Sequence, residues 1–156
     1  MSRELLRHAV ATAAYRGGKA VREAPASFAD FRVAEKSRTP SQILAHIGDL
    51  YDWALTQAKG AEAWHDSKPL PWDQEIARFH ETLARFDAYL ASDAPLNVPP
   101  ERIFQGAVAD SLTHIGQIAM LRRIAGAPIR GENYSRANIQ AGRVGADQAA
   151  ARREFD

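Results

Sequence analysis

Apolar side chains in this chain recur at steps of three and four residues, and nowhere do they alternate with polar ones over a length that would make a strand. That period belongs to amphipathic helices, and it restricts the fold to helices packed on helices. Alanine is abundant, β-branched residues are sparse, and proline and glycine gather at a few places that read as loops. The first helix is expected from about Ser2 to Glu23, with Leu5, Leu6, Ala9, Val10, Ala13, Ala20 and Val21 on its stripe and Gly17-Gly18 weakening its middle. Ser27 to Arg38, with Phe28, Phe31 and Val33 among charges, reads as a connection long enough for a crossover. Thr39-Pro40 marks the second helix, Thr supplying the cap and Pro the first helical position, where no N–H partner is lost. This helix runs to about Lys59 with Ile43, Ile47, Leu50, Trp53 or Ala54, and Ala58 facing inward, and Gly60 follows as its C-cap. A third helix starts near Pro71 and carries Ile76, Phe79, Leu83, Phe86 and Leu90 to about Ala91. A fourth runs from near Pro100 to Gly126 with Ile103, Phe104, Ala107, Ser111, Ile118, Leu121 and Ile124 facing one way. No sheet is expected.

The predicted fold is therefore all-α: a four-helix bundle over residues 1–126, followed by an irregular C-terminal arm over residues 127–156 that packs on the bundle or on a partner. Lys plus Arg total 20 against 19 for Asp plus Glu, which gives no basic field for a nucleic-acid backbone. Cysteine is absent, so disulfides, thiolate zinc sites, iron–sulfur clusters and cysteine nucleophiles are excluded together. No apolar stretch approaches the roughly 20 residues that span a bilayer. The opening MSRELLRHAVATAAYRGG carries charge throughout and does not read as a signal peptide, so the expectation is a cytoplasmic protein without a membrane partner. The Gly-Arg-Val-Gly segment has no strand before it and lacks the context of a phosphate-binding loop.

Polar residues on an apolar stripe are costly unless partnered. His46 lies in the stripe of the second helix, and Asp110 and His114, four residues apart, stack on one face of the fourth. Two imidazoles and a carboxylate suit a divalent cation with open positions left for water or substrate, and zinc, nickel, iron and manganese are all admissible. An intrahelical Asp110–His114 ion pair beside an ordinary core or edge histidine fits the same spacing, and the sequence leaves both readings open. Gln117, one turn beyond His114, is a candidate for a substrate contact or a hydrogen bond that supports a ligand. His80, beside Phe79 and Leu83, is a candidate general base or supporting residue reaching the bundle interior. His8 and His65 read as solvated, Tyr51, Trp53 and Trp64 as core or interface aromatics, and Arg122 and Arg123 as cations favoured at a helix C-terminus or paired with an anionic substrate.

The segments TPSQILAHIGDLYDWAL and DSLTHIGQIAMLRRIAGAPI resemble the DinB or YfiT-like family of metal-dependent enzymes. In that family a histidine of the second helix and two histidines separated by three residues in the fourth bind a metal. The chain supplies His46, His114, Gly116, Gln117, Arg122, Arg123 and Gly126 at matching places, and the GENYSRANIQAGRVGADQ tail is similar to one that comes after the bundle in some members. Asp110 departs from the pattern, standing where the family more often has the first histidine of the pair, and it offers a harder donor. The resemblance implies a homodimer and a metal that activates water or a low-molecular-weight thiol such as bacillithiol or mycothiol. The implied function is a thiol-dependent transferase or a hydrolase acting on a small-molecule substrate. Lacking cysteine, the chain would take its thiol from a cofactor. The alternative is a non-catalytic metal- or ligand-binding bundle acting through homo-oligomer assembly in a stress response.

Overall fold

In the computed structural model, which describes residues 1–155, the helices are α1 (Arg3–Val21), α2 (Pro40–Ala58), α3 (Trp72–Ala91), α4 (Pro100–Ile103) and α5 (Ala109–Ile124). A π-helical turn, Phe104–Val108, joins the last two into one rod, so the chain is an all-α bundle of four rods with a C-terminal arm. The helix starts obey local chemistry. Ser2 caps α1 by accepting from the Leu5 amide, and Thr39 and Gln42 form a reciprocal capping box at α2. Gly60 and Gly126 stand just past the ends of α2 and α5 with φ of 74° and 78°, the left-handed conformation glycine adopts without a Cβ penalty.

α1 packs between α3 and α5, and α2 packs between the same two, so α1 and α2 stand on a diagonal. The segment of residues 22–39 therefore crosses the bundle, and its short 3-10 helix, Ala26–Asp30, buries Phe28 against the core while Val33 stays exposed. Cross-helix contacts set the directions. Asp52 meets Arg85 and Ala58 meets Tyr89, so α2 and α3 run parallel. Arg7 meets Asp87 and Gly18 meets His80, so α1 and α3 are antiparallel. Because α2 and α3 point the same way, residues 60–71 must return along the length of the bundle. The departure from up-down order thus lies in this return strap as well as in the crossover before α2.

The buried stripe of α1 is Leu6, Val10, Ala13, Ala14 and Val21; Leu5, expected on it, is 52% exposed because one residue earlier is about 100° around the helix. On α2 the inward position is Ala54 and not Trp53. The fourth rod is not one straight α-helix. The π turn adds a residue and rotates the remainder of the rod by about 100°, so the buried line runs Ile103, Ala107, Val108, Ser111, Ile115, Ile118, Leu121 and Arg122. Phe104 and Ile124, expected on that face, are exposed. Asp110 and His114 lie on the flank beside Ser111 and Ile115, facing the edge of α2.

The arm folds back on α1. Glu132 is buried, accepting from Tyr15 Oη and Lys19 Nζ at 2.7 Å each, and Lys19 also reaches Glu154 at 2.7 Å. Where the arm meets α1 its two ends pair antiparallel as β1 (Gly131–Glu132) and β2 (Glu154–Phe155), a two-residue ladder in place of the expected absence of strands. Arg122 donates to the Ala20, Arg22 and Ala127 carbonyls at 3.2, 2.7 and 2.8 Å, closing the C-terminal end of α1.

Gly17 and Gly18, adjacent in sequence, differ in what they permit. A Cβ on Gly17 would stand 2.5 Å from Phe79 Cζ and 3.2 Å from Ile115 Cδ1, whereas one on Gly18 would meet nothing nearer than His80 Cε1 at 3.5 Å. The Gly17→Ala substitution is expected to destabilise by about 1–3 kcal/mol through overpacking. Gly18→Ala is expected to be neutral or stabilising by up to ~1 kcal/mol through helix propensity. Urea denaturation checks both, and equal effects would contradict the packing described.

Candidate metal centre

Two helices and the return strap build the site. α2 and α5 run antiparallel, their register fixed by a buried bond between Tyr51 Oη and Ser111 Oγ at 2.8 Å. Ser111 gives its only hydroxyl proton to the Val108 carbonyl, so Tyr51 is the donor. Burial pushes the Tyr51 phenol far above its ordinary range, which keeps that proton in place. Less than two turns from Tyr51, His46 then faces Asp110 and His114 across the α2–α5 edge.

His46 Nε2 lies 3.5 Å from Asp110 Oδ2, and His114 Nε2 lies 3.5 Å from Asp110 Oδ1. All three donor atoms fall within 4.8 Å of one another. A direct charged hydrogen bond would be about 2.7–2.9 Å, whereas two donors on a tetrahedral ion at ~2.1 Å stand about 3.4 Å apart. The spacing is too wide for a tight hydrogen-bonded pair, and with a spread of up to 4.8 Å the donor atoms would draw together to share one ion. His114 Nδ1 bonds Gln117 Oε1 at 2.8 Å; as the amide oxygen only accepts, Nδ1 is the donor, and in the neutral ring this tautomer leaves Nε2 as the nitrogen that can ligate. Burial lowers the His46 pKa below its ordinary value, with the nearby His114 and Arg38 acting in the same direction and Asp110 opposing them. His46 is thus held neutral at neutral pH, the state in which imidazole ligates.

The strap approaches the trio at His46. The Trp64 ring stands edge-on to His46 at 5.6 Å and to Trp53 at 5.9 Å. Two buried carboxylates hold the strap down: Asp49 accepts from the Ser67 amide and hydroxyl at 2.8 and 2.7 Å, and Glu75 accepts from the Leu70 amide at 2.8 Å. Arg78 sits between them and pairs with both. Each member of the trio opens onto a different cavity. His46 lines a polar cleft, His114 an apolar groove, and Asp110 a shallower recess with Trp53, Gln105 and Gly106.

Of the residues singled out in the sequence, His46, Asp110, His114 and Gln117 come together here. His80 does not. It is buried on the opposite side of α3, its Nδ1 bonded to the Val144 carbonyl of the arm at 3.0 Å and its ring against Gly18, so its partner is the arm. His8 is exposed, while His65 is held beside Asp49 and Asp52 at 3.1 and 3.4 Å. Arg122 is spent on backbone carbonyls. Sequence reasoning passed over the cations that border His46, namely Arg32, Lys36, Arg38 and Lys68, because in loops they look like ordinary solvated charge. No family model matches this chain, and no curated protein or solved structure to which it was compared does so either.

Imidazole ligands must lose their protons to bind metal. Zinc affinity is therefore expected to fall as pH is lowered through the histidine range, and Gln117→Ala is expected to bind roughly tenfold more weakly across that range through loss of the oriented tautomer. Competition with a zinc indicator measures both, and a pH-independent affinity would contradict ligation by the two histidines.

Proposed function

We propose that the protein is a metal-dependent enzyme of the DinB-like kind, a thiol-dependent transferase or a hydrolase acting on a small molecule as a homodimer. The observation that carries this reading is the convergence of the His46, Asp110 and His114 donor atoms, each residue bordering a separate cavity. A divalent cation bound there would lower the pKa of a water or incoming thiol and polarise a substrate carbonyl.

The chain's own groups would do the rest. His46 and His114 present Nε2, Asp110 presents one carboxylate oxygen to each, and Gln117 holds the His114 tautomer. Trp64 limits water at His46 on the strap side, while the cleft and groove leave room for reactants on the others. The chain lacks cysteine, so a thiol nucleophile enters as a separate molecule. None of the helices among the described residues is long and apolar enough to cross a membrane.

Elemental analysis of the purified, untagged protein tests this reading, with circular dichroism confirming that each variant is helical. The parent is expected to carry near-stoichiometric zinc, nickel, iron or manganese. His46→Ala and Asp110→Ala are expected to lose at least ~90% of it, and Asp110→His to retain it, since imidazole replaces a carboxylate donor. A parent that stays metal-free after incubation with zinc, nickel and manganese overturns the reading. Full metal without turnover in a thiol-transfer and hydrolysis screen moves it to the non-catalytic, ligand-binding bundle.

A further inference from the structure

The two larger cavities beside the trio have opposite chemistry and meet at Ser37 and Arg38, which line both. The cleft on the His46 side, about 490 Å³, is bordered by Arg32, Lys36, Arg38 and Lys68. Its two acidic residues do not balance these charges, for Asp49 is already engaged by Arg78 and Ser67, leaving Asp66 against four cations. Arg32 reaches the Ser37 carbonyl, but the side chains of Lys36, Arg38 and Lys68 make no hydrogen bond or ion pair among the described residues.

The position of Arg38 is also unfavourable for α2, the helix it precedes. Arg38 stands directly before Thr39, the N-cap of α2, where the positive end of the helix dipole repels a cation. Unpartnered cations gathered at that pole form a field suited to an anion.

The groove on the His114 side, about 530 Å³, is lined by Val33, Ile43, Met120, Leu121 and Ile124. Met120 and Ile124 are each 57% exposed and Val33 is 50% exposed, so three of the large apolar side chains left in solvent border this one groove. Both volumes fall within the roughly 300–1,000 Å³ of small-molecule sites.

We infer that the site takes a free amphiphilic anion, its carboxylate or phosphate head held in the Arg32–Lys36–Arg38–Lys68 cleft and its apolar chain laid in the groove floored by Ile43 and Leu121. The substrate class rests on the metal reading for its reactive centre, which would lie where the two subsites join. His46 borders one subsite and His114 the other, but the cations of the cleft and the apolar side chains of the groove are not among the proposed metal ligands. Arg38, common to both cavities, fixes the junction between head and chain.

Isothermal titration of the whole chain, zinc-loaded and EDTA-treated, with octanoate, octanamide and butyrate separates the parts. Octanoate is expected to bind at least ~10-fold more tightly than octanamide, which lacks the charge, and than butyrate, which lacks the chain. This preference is expected in the EDTA-treated protein as well, where no carboxylate–zinc bond contributes. Arg38→Glu is expected to abolish the preference over octanamide and Met120→Asp the preference over butyrate. Lys68→Glu and Ile124→Asp serve if either first variant loses its helical circular dichroism.

Equal binding of octanoate and octanamide, or no binding of either, overturns the inference. So does binding only to anionic phosphatidylglycerol vesicles, which would make the patch a lipid-surface contact. A protein that holds no zinc, nickel or manganese yet keeps the octanoate preference refutes the metal reading and leaves the two subsites standing.

Discussion

The buried hydrogen bond from Tyr51 to Ser111 is the contact on which the site's geometry depends, because it ties α2 to α5 in one antiparallel register. Both residues are fully buried, so slippage along the helices would leave two hydroxyl groups without partners in the core, at a cost of about 1–3 kcal/mol each. Ser111 is also bonded to the Val108 carbonyl at the end of the π turn. That turn sets the rotational phase of α5, and the Tyr51 bond sets its height. Together they bring a residue of one helix and two of another to donor distances that neither helix defines alone.

A second constraint comes from topology. Parallel α2 and α3 oblige the chain between them to retrace the bundle, and an extended segment of that length needs anchors for its backbone amides. Asp49 and Glu75 supply them at buried positions, with Arg78 between to offset their charge. Burial still pushes the Glu75 carboxyl above its usual range, although the Leu70 amide and Arg78 work against that shift. The strap they secure carries Trp64 over His46 and Lys68 into the cleft. The wall of the site is thus an outcome of helix direction.

Much of this was legible in the sequence where periodicity governs. The boundaries of α2 and α3 are set by Thr39-Pro40, Gly60 and Pro71, since caps and breakers act locally. The trio was legible for a related reason: a polar group in an apolar stripe announces that a partner exists. The same signal does not say which partner, and His80 shows the limit, its bond going to a carbonyl of the arm 64 residues away. The π turn left no mark, as one added residue in a helix changes phase without changing composition. Nor did the strap, whose residues have no period and whose anchors, Asp49 and Glu75, read as ordinary helix-surface charge. The cations of the cleft became visible as a group only after the crossover and the strap were placed side by side.

In the proposed centre Nε2 of His46 and Nε2 of His114 would ligate one ion, with Nδ1 of His114 donating to Gln117. Histidine-selective ¹⁵N NMR of the whole chain during a zinc titration reads this directly, since each ring nitrogen reports its own protonation or ligation. On this account, zinc shifts Nε2 of His46 and His114 together, saturating at one equivalent, while His114 Nδ1 keeps its proton and the rings of His8, His65 and His80 do not respond. Zinc that moves only His8 or His65, or that leaves all five histidines unchanged, would contradict the account.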